Sequence, residues 1–257
     1  MADHDRSLLL TNDDGVDAPG LQALSRAAEG LGRLRVVAPQ GAASGCGHQV
    51  TTHAPIRIEG RGPDRFAVAG TPVDCVRLAL HSLATDLDWV LSGVNAGGNL
   101  GTDVYHSGTV AAVREAAIRG RPGIAISHFI ARGRTIDWAW AERQARRVLR
   151  LLLPRGCQPW TFWNVNLPHI DTSGPEPEIV FCPLDPSPLP ADFQLEGDLA
   201  TYSGVYQARD RRPGADVAVC FGGRIAVTSI RLDGHEELGR PGTAADPSDP
   251  SPSPRVP

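Results

Sequence analysis

Two adjacent carboxylates close the first apolar run of the chain: Ser7-Leu8-Leu9-Leu10-Thr11 ends abruptly at Asn12-Asp13-Asp14-Gly15. Side by side at the end of a buried segment, Asp13 and Asp14 repel each other and lose hydration, and a bound cation removes both costs. Oxygen donors of this kind suit Mg²⁺ or Mn²⁺ rather than zinc, because no His/Cys cluster accompanies them. Read alone, the tetrapeptide is equally a turn ahead of a helix, with Gly15 supplying unusual dihedrals. Ser107-Gly108-Thr109 stands before a second helical stretch. A helix start offers free N–H groups and partial positive charge, and two hydroxyls add donors, so the segment can cradle phosphate without a lysine. It can equally be a cap at Thr109 with nothing bound. In Asn95-Ala96-Gly97-Gly98-Asn99-Leu100-Gly101 the glycines allow close backbone approach and Asn95 offers an amide oxygen, a weak signal by itself. Ser44, in Ala43-Ser44-Gly45, is of the kind that is usually just solvated. Taken together, these features describe a divalent metal beside an anion cradle, which is the equipment for metal-assisted hydrolysis of a phosphate ester.

The elements that must position these residues alternate between strand and helix. Leu34 to Ala38, Phe66 to Ala69, Asp88 to Leu91, Ile124 to Ile126 and Thr161 to Leu167 read as short strands. Pro19 opens a helix carrying Leu21, Leu24, Ala28 and Leu31, and Thr71-Pro72 opens another. A third runs from Ser107 to Arg119 and the longest from Asp137 to Leu153. This predicts an α/β fold: an open, Rossmann-like, mostly parallel sheet with helices on both faces. Ligands in such sheets bind beyond the carboxyl ends of the strands, where the loops after Thr11, Pro39, Leu91 and Gly101 would gather. The expected organisation is an α/β catalytic core over 1–182 and a β-rich extension over 183–240, its last strand returning to the core. A disordered Pro/Ser-rich tail is expected over 241–257. Within the extension, Val217 to Phe221 and Arg224 to Leu232 read as a hairpin joined through Gly222-Gly223.

Composition narrows the chemistry further. The 257 residues carry 25 basic side chains, all arginine, so a Schiff-base or Walker lysine is closed to this chain. A net charge of -4 argues against binding to a nucleic-acid duplex. No run of about 18 apolar residues could cross a membrane, and the acidic start Met1-Ala2-Asp3-His4-Asp5-Arg6 is unlike a secretory signal. The five cysteines are widely spaced without a C-x-x-C pair, which suits reduced thiols in the cytoplasm.

Read in order, Thr11-Asn12-Asp13-Asp14-Gly15, Ala18-Pro19-Gly20, Val37-Ala38-Pro39, Ser44-Gly45, Gly70-Thr71-Pro72-Val73-Asp74-Cys75, the run from Ser92 to Val104, and Ser107-Gly108-Thr109-Val110 form one pattern. It resembles the SurE family, the survival-protein-E nucleotidases, strongly over about 7–170 and again at Ile225 to Ile230. The resemblance implies a metal-dependent phosphatase acting on nucleoside 5′- and 3′-monophosphates and, in some members, on polyphosphate. It implies one divalent ion per subunit held by Asp13, Asp14, Ser44 and Asn95, with Ser107, Gly108 and Thr109 on the phosphate. It also implies a homodimer or homotetramer joined through the C-terminal hairpin. Gly41-Ala42-Ala43 stand where the family often has basic residues, and the region from 183 to 222 departs from the pattern.

The expected mechanism is a metal-activated water, oriented or deprotonated by Asp13 or Asp14, with Asn12 and Asn95 as further phosphate contacts. His48 and His106 lie close enough in sequence to serve as acid or phosphate donor, though loop histidines usually just face solvent. Tyr105, Tyr202 and Tyr206 could stack on a base or simply pack. A dehydrogenase would want G-x-G-x-x-G after the first strand. An aspartyl-phosphate enzyme would want aspartates two apart and a lysine. A non-catalytic nucleotide-binding or scaffold protein on the same fold is the alternative.

Overall fold

The computed structural model describes residues 6–234. Its centre is a nine-stranded sheet. The strands are β1 (Ser7–Thr11), β2 (Arg33–Pro39), β3 (Ile58–Gly60), β4 (Arg65–Val68), β5 (Trp89–Ala96), β6 (Gly123–His128), β7 (Thr161–Leu167), β8 (Ile179–Phe181) and β11 (Ile225–Arg231). They lie in the order β3-β4-β2-β1-β5-β6-β7-β11-β8. The six from β4 to β7 in that order are parallel, β3 joins antiparallel at one edge, and β11 runs antiparallel to β7.

The central parallel strands are buried on both faces and mainly apolar because helices cover both sides of the sheet. Leu8 and Leu10 of β1 pack with α1 (Pro19–Ala28) and α4 (Trp138–Leu152) on one face. Leu9, one residue out of phase, packs with α2 (Pro72–Leu78) and α3 (Gly108–Ile118) on the other. Each helix starts on a readable signal. Pro19 opens α1. Thr71 and Asp74 form a reciprocal capping box on α2. Asp137 caps α4 through the Trp140 N–H.

The order in which strands are added reverses at β1. From β1 the chain winds outward through β2 and β4, then returns to place β5 on the other flank of β1. The crevice above the ends of β1 and β5 is therefore a topological switch point, the place where open α/β sheets bind ligands.

Three expectations need correction. Val217 to Phe221 is not a strand but lies in helix α5 (Asp216–Phe221). Its buried residues Asp216, Val217, Val219 and Cys220 fall on one helical face, and Gly222-Gly223 ends the helix rather than turning a hairpin. The hairpin lies earlier, as β9 (Phe193–Glu196) and β10 (Leu199–Tyr202), paired antiparallel around Gly197-Asp198 as a separate two-stranded sheet. Ser92 to Ala96, read as the start of a loop, continues β5, and the register with β6 slips between Gly93 and Asn95. The tail expected over 241–257 lies outside the described residues.

Candidate active site

Asp13 is nearly fully buried at the mouth of the β1–β5 crevice. Asn12 and Gly15 shape the turn that carries it. The Asn12 amide donates to the Gly15 carbonyl at 2.9 Å and accepts from the Gly15 N–H at 3.2 Å, while Gly15 sits at φ +111°. Asn12 is fully buried, its amide braces this turn beneath the aspartates, and it is not among the residues that line the cleft.

Asp13 rests on the first turn of α3. The Thr109 hydroxyl donates to its Oδ1. A Cβ placed on Gly108 would come within 2.8 Å of the Asp13 Cβ, so this approach requires glycine. Ser107, not Thr109, is the cap: its hydroxyl oxygen accepts from the Val110 N–H at 3.0 Å. The Ser107 hydroxyl hydrogen remains a donor, and the residue lines the cleft. Gly108 and Thr109 thus reach the site by seating Asp13.

Desolvation dominates the electrostatics. Burial, with a smaller push from Asp14, raises the Asp13 carboxyl to about 6 against the opposing Thr109 hydrogen bond. Burial also raises Asp14, and a 3.3 Å hydrogen bond from the Ala96 N–H works against it. No ion pair to either aspartate is found among the described residues.

Asp13, Asp14, Ser44, Asn95 and Ser107 line one open cleft of about 270 Å³. The Ser44 loop is tied down by the Ala43 N–H, which donates to the Asp13 carbonyl at 2.7 Å, and by the Gly47 N–H, which donates to the His106 carbonyl at 3.1 Å. Asn95 donates its Nδ2 to the Gly97 carbonyl at 2.8 Å, leaving its amide oxygen as the available group. Among the described residues no three His, Cys, Asp or Glu side chains form a metal-holding group. A cation in this cleft would rest on two carboxylates, a hydroxyl and an amide oxygen. That all-oxygen set fits a hard divalent ion, and two desolvated carboxylates lacking a cationic partner supply the electrostatic reason for one.

Gly45 and Ala96 line the cleft beside them, as do Asn99, Asp103, His106 and Leu189. Asn99 is locked into the sheet, its N–H donating to Asn166 and its Nδ2 to Ser127, while its carbonyl accepts from Asn164 and Asn166. Asp103 accepts from the Leu100 N–H, from the Tyr206 hydroxyl at 2.6 Å and from buried Arg209 at 2.9 Å. Asn99 and Asp103 stand in the run from Ser92 to Val104 that carried the family pattern. Leu189 sits in a proline-rich segment that gave no signal. Of the two histidines, His106 reaches the cleft, whereas His48 pairs with Glu115 at 3.0 Å. Tyr206 is committed to Asp103 and to packing on Phe129 and Phe221, and Tyr202 packs on Phe193 in the hairpin. Tyr105 is exposed.

Comparison with known proteins places these features in a wider set. The family model described as "Survival protein SurE" matches residues 8–184. A curated protein of Synechocystis sp. is 53% identical over 227 residues, covering 88% of this chain and all of its own length. The 5′-nucleotidase SurE of Moorella thermoacetica is 37% identical over 248 residues, with 88% of this chain and 90% of its own covered. Among solved structures, the SurE protein from Aquifex aeolicus superposes with a TM-score of 0.79 at 30% identity, over 89% of this chain and 94% of its own.

Proposed function

The chain belongs to the survival protein SurE family, and from that membership and the cleft we propose that it is a nucleotidase, hydrolysing nucleoside 5′- and 3′-monophosphates to nucleoside and phosphate. The single observation that carries the reading is the convergence of Asp13, Asp14, Ser44 and Asn95 with Ser107 in one cleft at the switch point of the sheet.

Asp13, Asp14, Ser44 and Asn95 would hold one Mg²⁺ or Mn²⁺ per subunit. When bound, such an ion polarises phosphoryl oxygens and acidifies water. The protein's part is positional. Thr109 and Gly108 keep Asp13 pressed on α3, so its free edge faces the cleft. Asp14, the more open of the pair, is the group to orient an attacking water or take its proton. The Ser107 hydroxyl and the start of α3 stabilise charge on the equatorial phosphoryl oxygens. His106 is the cleft histidine that can donate to phosphate or to the leaving oxygen. The same equipment would serve the terminal phosphate of polyphosphate.

The hairpin supports a homodimer or homotetramer. Phe193, Leu195, Leu199 and Tyr202 are all exposed on a ribbon separate from the main sheet, and a second copy would cover them. No helix among the described residues is long and apolar enough to cross a membrane. The five cysteines are all free, in keeping with the cytoplasm.

Phosphate release from the common nucleoside monophosphates, assayed with Mg²⁺, with Mn²⁺ and with EDTA, tests the reading. Release with either ion and its loss in EDTA are expected. No release in ion-replete buffer would refute it.

A further inference from the structure

A second cavity, of about 440 Å³, opens at the C-terminal ends of β6 and β7, and the catalytic cleft does not use it. His128, Arg134, Asp137, Trp140, His169 and Asp171 are among its lining residues. It lies on the α4 side of the sheet, since His128 meets Trp140 of α4 edge to face at 5.4 Å. The Asp13 cleft lies on the α3 side.

Only one strand end separates the two. His128 is the register partner of Ala96, which lines the cleft, and is bridged to Gly97. That is a single inter-strand spacing, about 4.8 Å. At that strand end Ala96 and Gly97, the two residues paired with His128, carry no side chain larger than a methyl group.

The polar groups of the cavity are fixed in complementary states. His128 Nδ1 lies 2.7 Å from the Phe129 carbonyl, which can only accept, so Nδ1 holds the hydrogen and Nε2 is an acceptor. His169 has the opposite arrangement: its Nδ1 accepts from the Ala131 N–H at 3.3 Å, so in the neutral ring Nε2–H is a donor. The two imidazoles stand edge to face, centroids 5.4 Å apart. Burial holds His128 down at about 4 and lowers His169 as well, so both are neutral near pH 7. Against the one guanidinium of Arg134 stand the carboxylates of Asp137 and Asp171. Such a cavity carries no excess of positive charge and is poorly suited to a phosphate. The His169 ring, set among side chains that both donate and accept, suits a neutral, hydrogen-bonding heteroaromatic ring, and the volume lies within the range of small-ligand pockets.

We propose that this cavity is the nucleoside subsite: the base lies against the His169 ring, within reach of Arg134, and the sugar crosses the strand end at Ala96-Gly97 to deliver its phosphate to Asp13 and Asp14. The assignment rests on the nucleotidase reading and adds to it where the uncharged half of the substrate is recognised.

Its test compares kcat/KM for nucleoside 5′-monophosphates with that for glycerol 2-phosphate, which has no base, in the wild type, His169→Ala and Arg134→Gln. The ratio of the two values is expected to fall at least tenfold in each variant, chiefly through KM for the nucleotide. An unchanged ratio, including equal losses on both esters, overturns the proposal. Adenosine, guanosine, cytidine and uridine are also titrated into the wild-type protein without added metal, with the His169 ring signals followed by NMR. Shifts with at least one nucleoside are expected. No shift at millimolar nucleoside, or a shift with inorganic phosphate alone, overturns the subsite. Should the wild type hydrolyse neither ester, the nucleotidase reading fails, and the nucleoside titration still decides this one.

Discussion

Thr109, at the start of α3, donates its hydroxyl hydrogen to Asp13, at the end of β1, across 96 residues of chain. This bond joins the two segments that sequence reading had assigned to separate tasks, metal and phosphate. Thr109→Val keeps the shape and removes the donor. It should cost about 1–3 kcal/mol of stability, as expected when a buried acceptor loses its partner, and it should lower kcat at least tenfold. Thr109→Ser should retain most of both. Urea melts and steady-state kinetics on the two variants check the pair.

Asp13→Asn removes one of two crowded carboxylates without changing size. Metal-free protein should melt at the same temperature or higher, because a desolvated charge has gone. Activity should fall at least a hundredfold, and the rise in Tm that Mn²⁺ gives the wild type should disappear. Thermal melts with and without Mn²⁺ measure this directly.

The pH dependence has a definite sign. The Asp13 carboxyl titrates at about 6 when folded, against 3.8 for an ordinary aspartate. Between those values the folded state binds the extra proton, so metal-free stability falls as pH rises from about 4 to about 6, by about 3 kcal/mol. The raised Asp14 acts in the same direction. Protons and a divalent ion compete for the same oxygens, so Mn²⁺ affinity should weaken below pH 6. Urea melts and calorimetric titrations over pH 4 to 8 test both trends.

Arg209→Ala strips the cation from buried Asp103 and should destabilise the protein by about 3–5 kcal/mol, the usual cost of breaking a buried pair from one side. The loss should be larger than for Tyr206→Phe, which removes one neutral donor from the same carboxylate. Chemical denaturation of both variants orders them.

Leu195→Glu with Leu199→Glu places charge on the exposed ribbon of β9 and β10. If that ribbon joins subunits, light scattering should show the mass falling to that of a single chain while each chain stays folded by circular dichroism.

The core was legible because its signals are local. Each parallel strand is a short apolar run, and each helix start carries Pro, Thr, Ser or Asp where the backbone needs it. Asp13 and Asp14 were legible as a candidate site because two carboxylates crowded at the end of such a run repel each other and lose hydration, and because other motifs of the same chemistry follow in order. The division of labour within Ser107-Gly108-Thr109 was not legible. Which hydroxyl caps the helix and which reaches Asp13 depends on packing between segments far apart in sequence. Val217 and Val219 read as strand from β-branching, yet a helix won because the face through Asp216, Val217 and Cys220 is buried. The hairpin had its turn signal in Gly197-Asp198, but its two four-residue strands are exposed along their whole length, so no alternation of buried and exposed residues marks them. The neutral histidine pair at His128 and His169 could not be seen at all, since the two sit on different strands' ends and meet only when β6 and β7 pair.

The partnership of Asp103 with Arg209 also ties the cleft to the far end of the chain. Every residue proposed to hold the ion or the phosphate lies at or before Thr109, yet the cation that neutralises Asp103 comes a hundred residues later, and the strand that joins β8 to the sheet, β11, later still. A chain cut short before Arg209 would keep every proposed ligand and lose the counter-charge to Asp103.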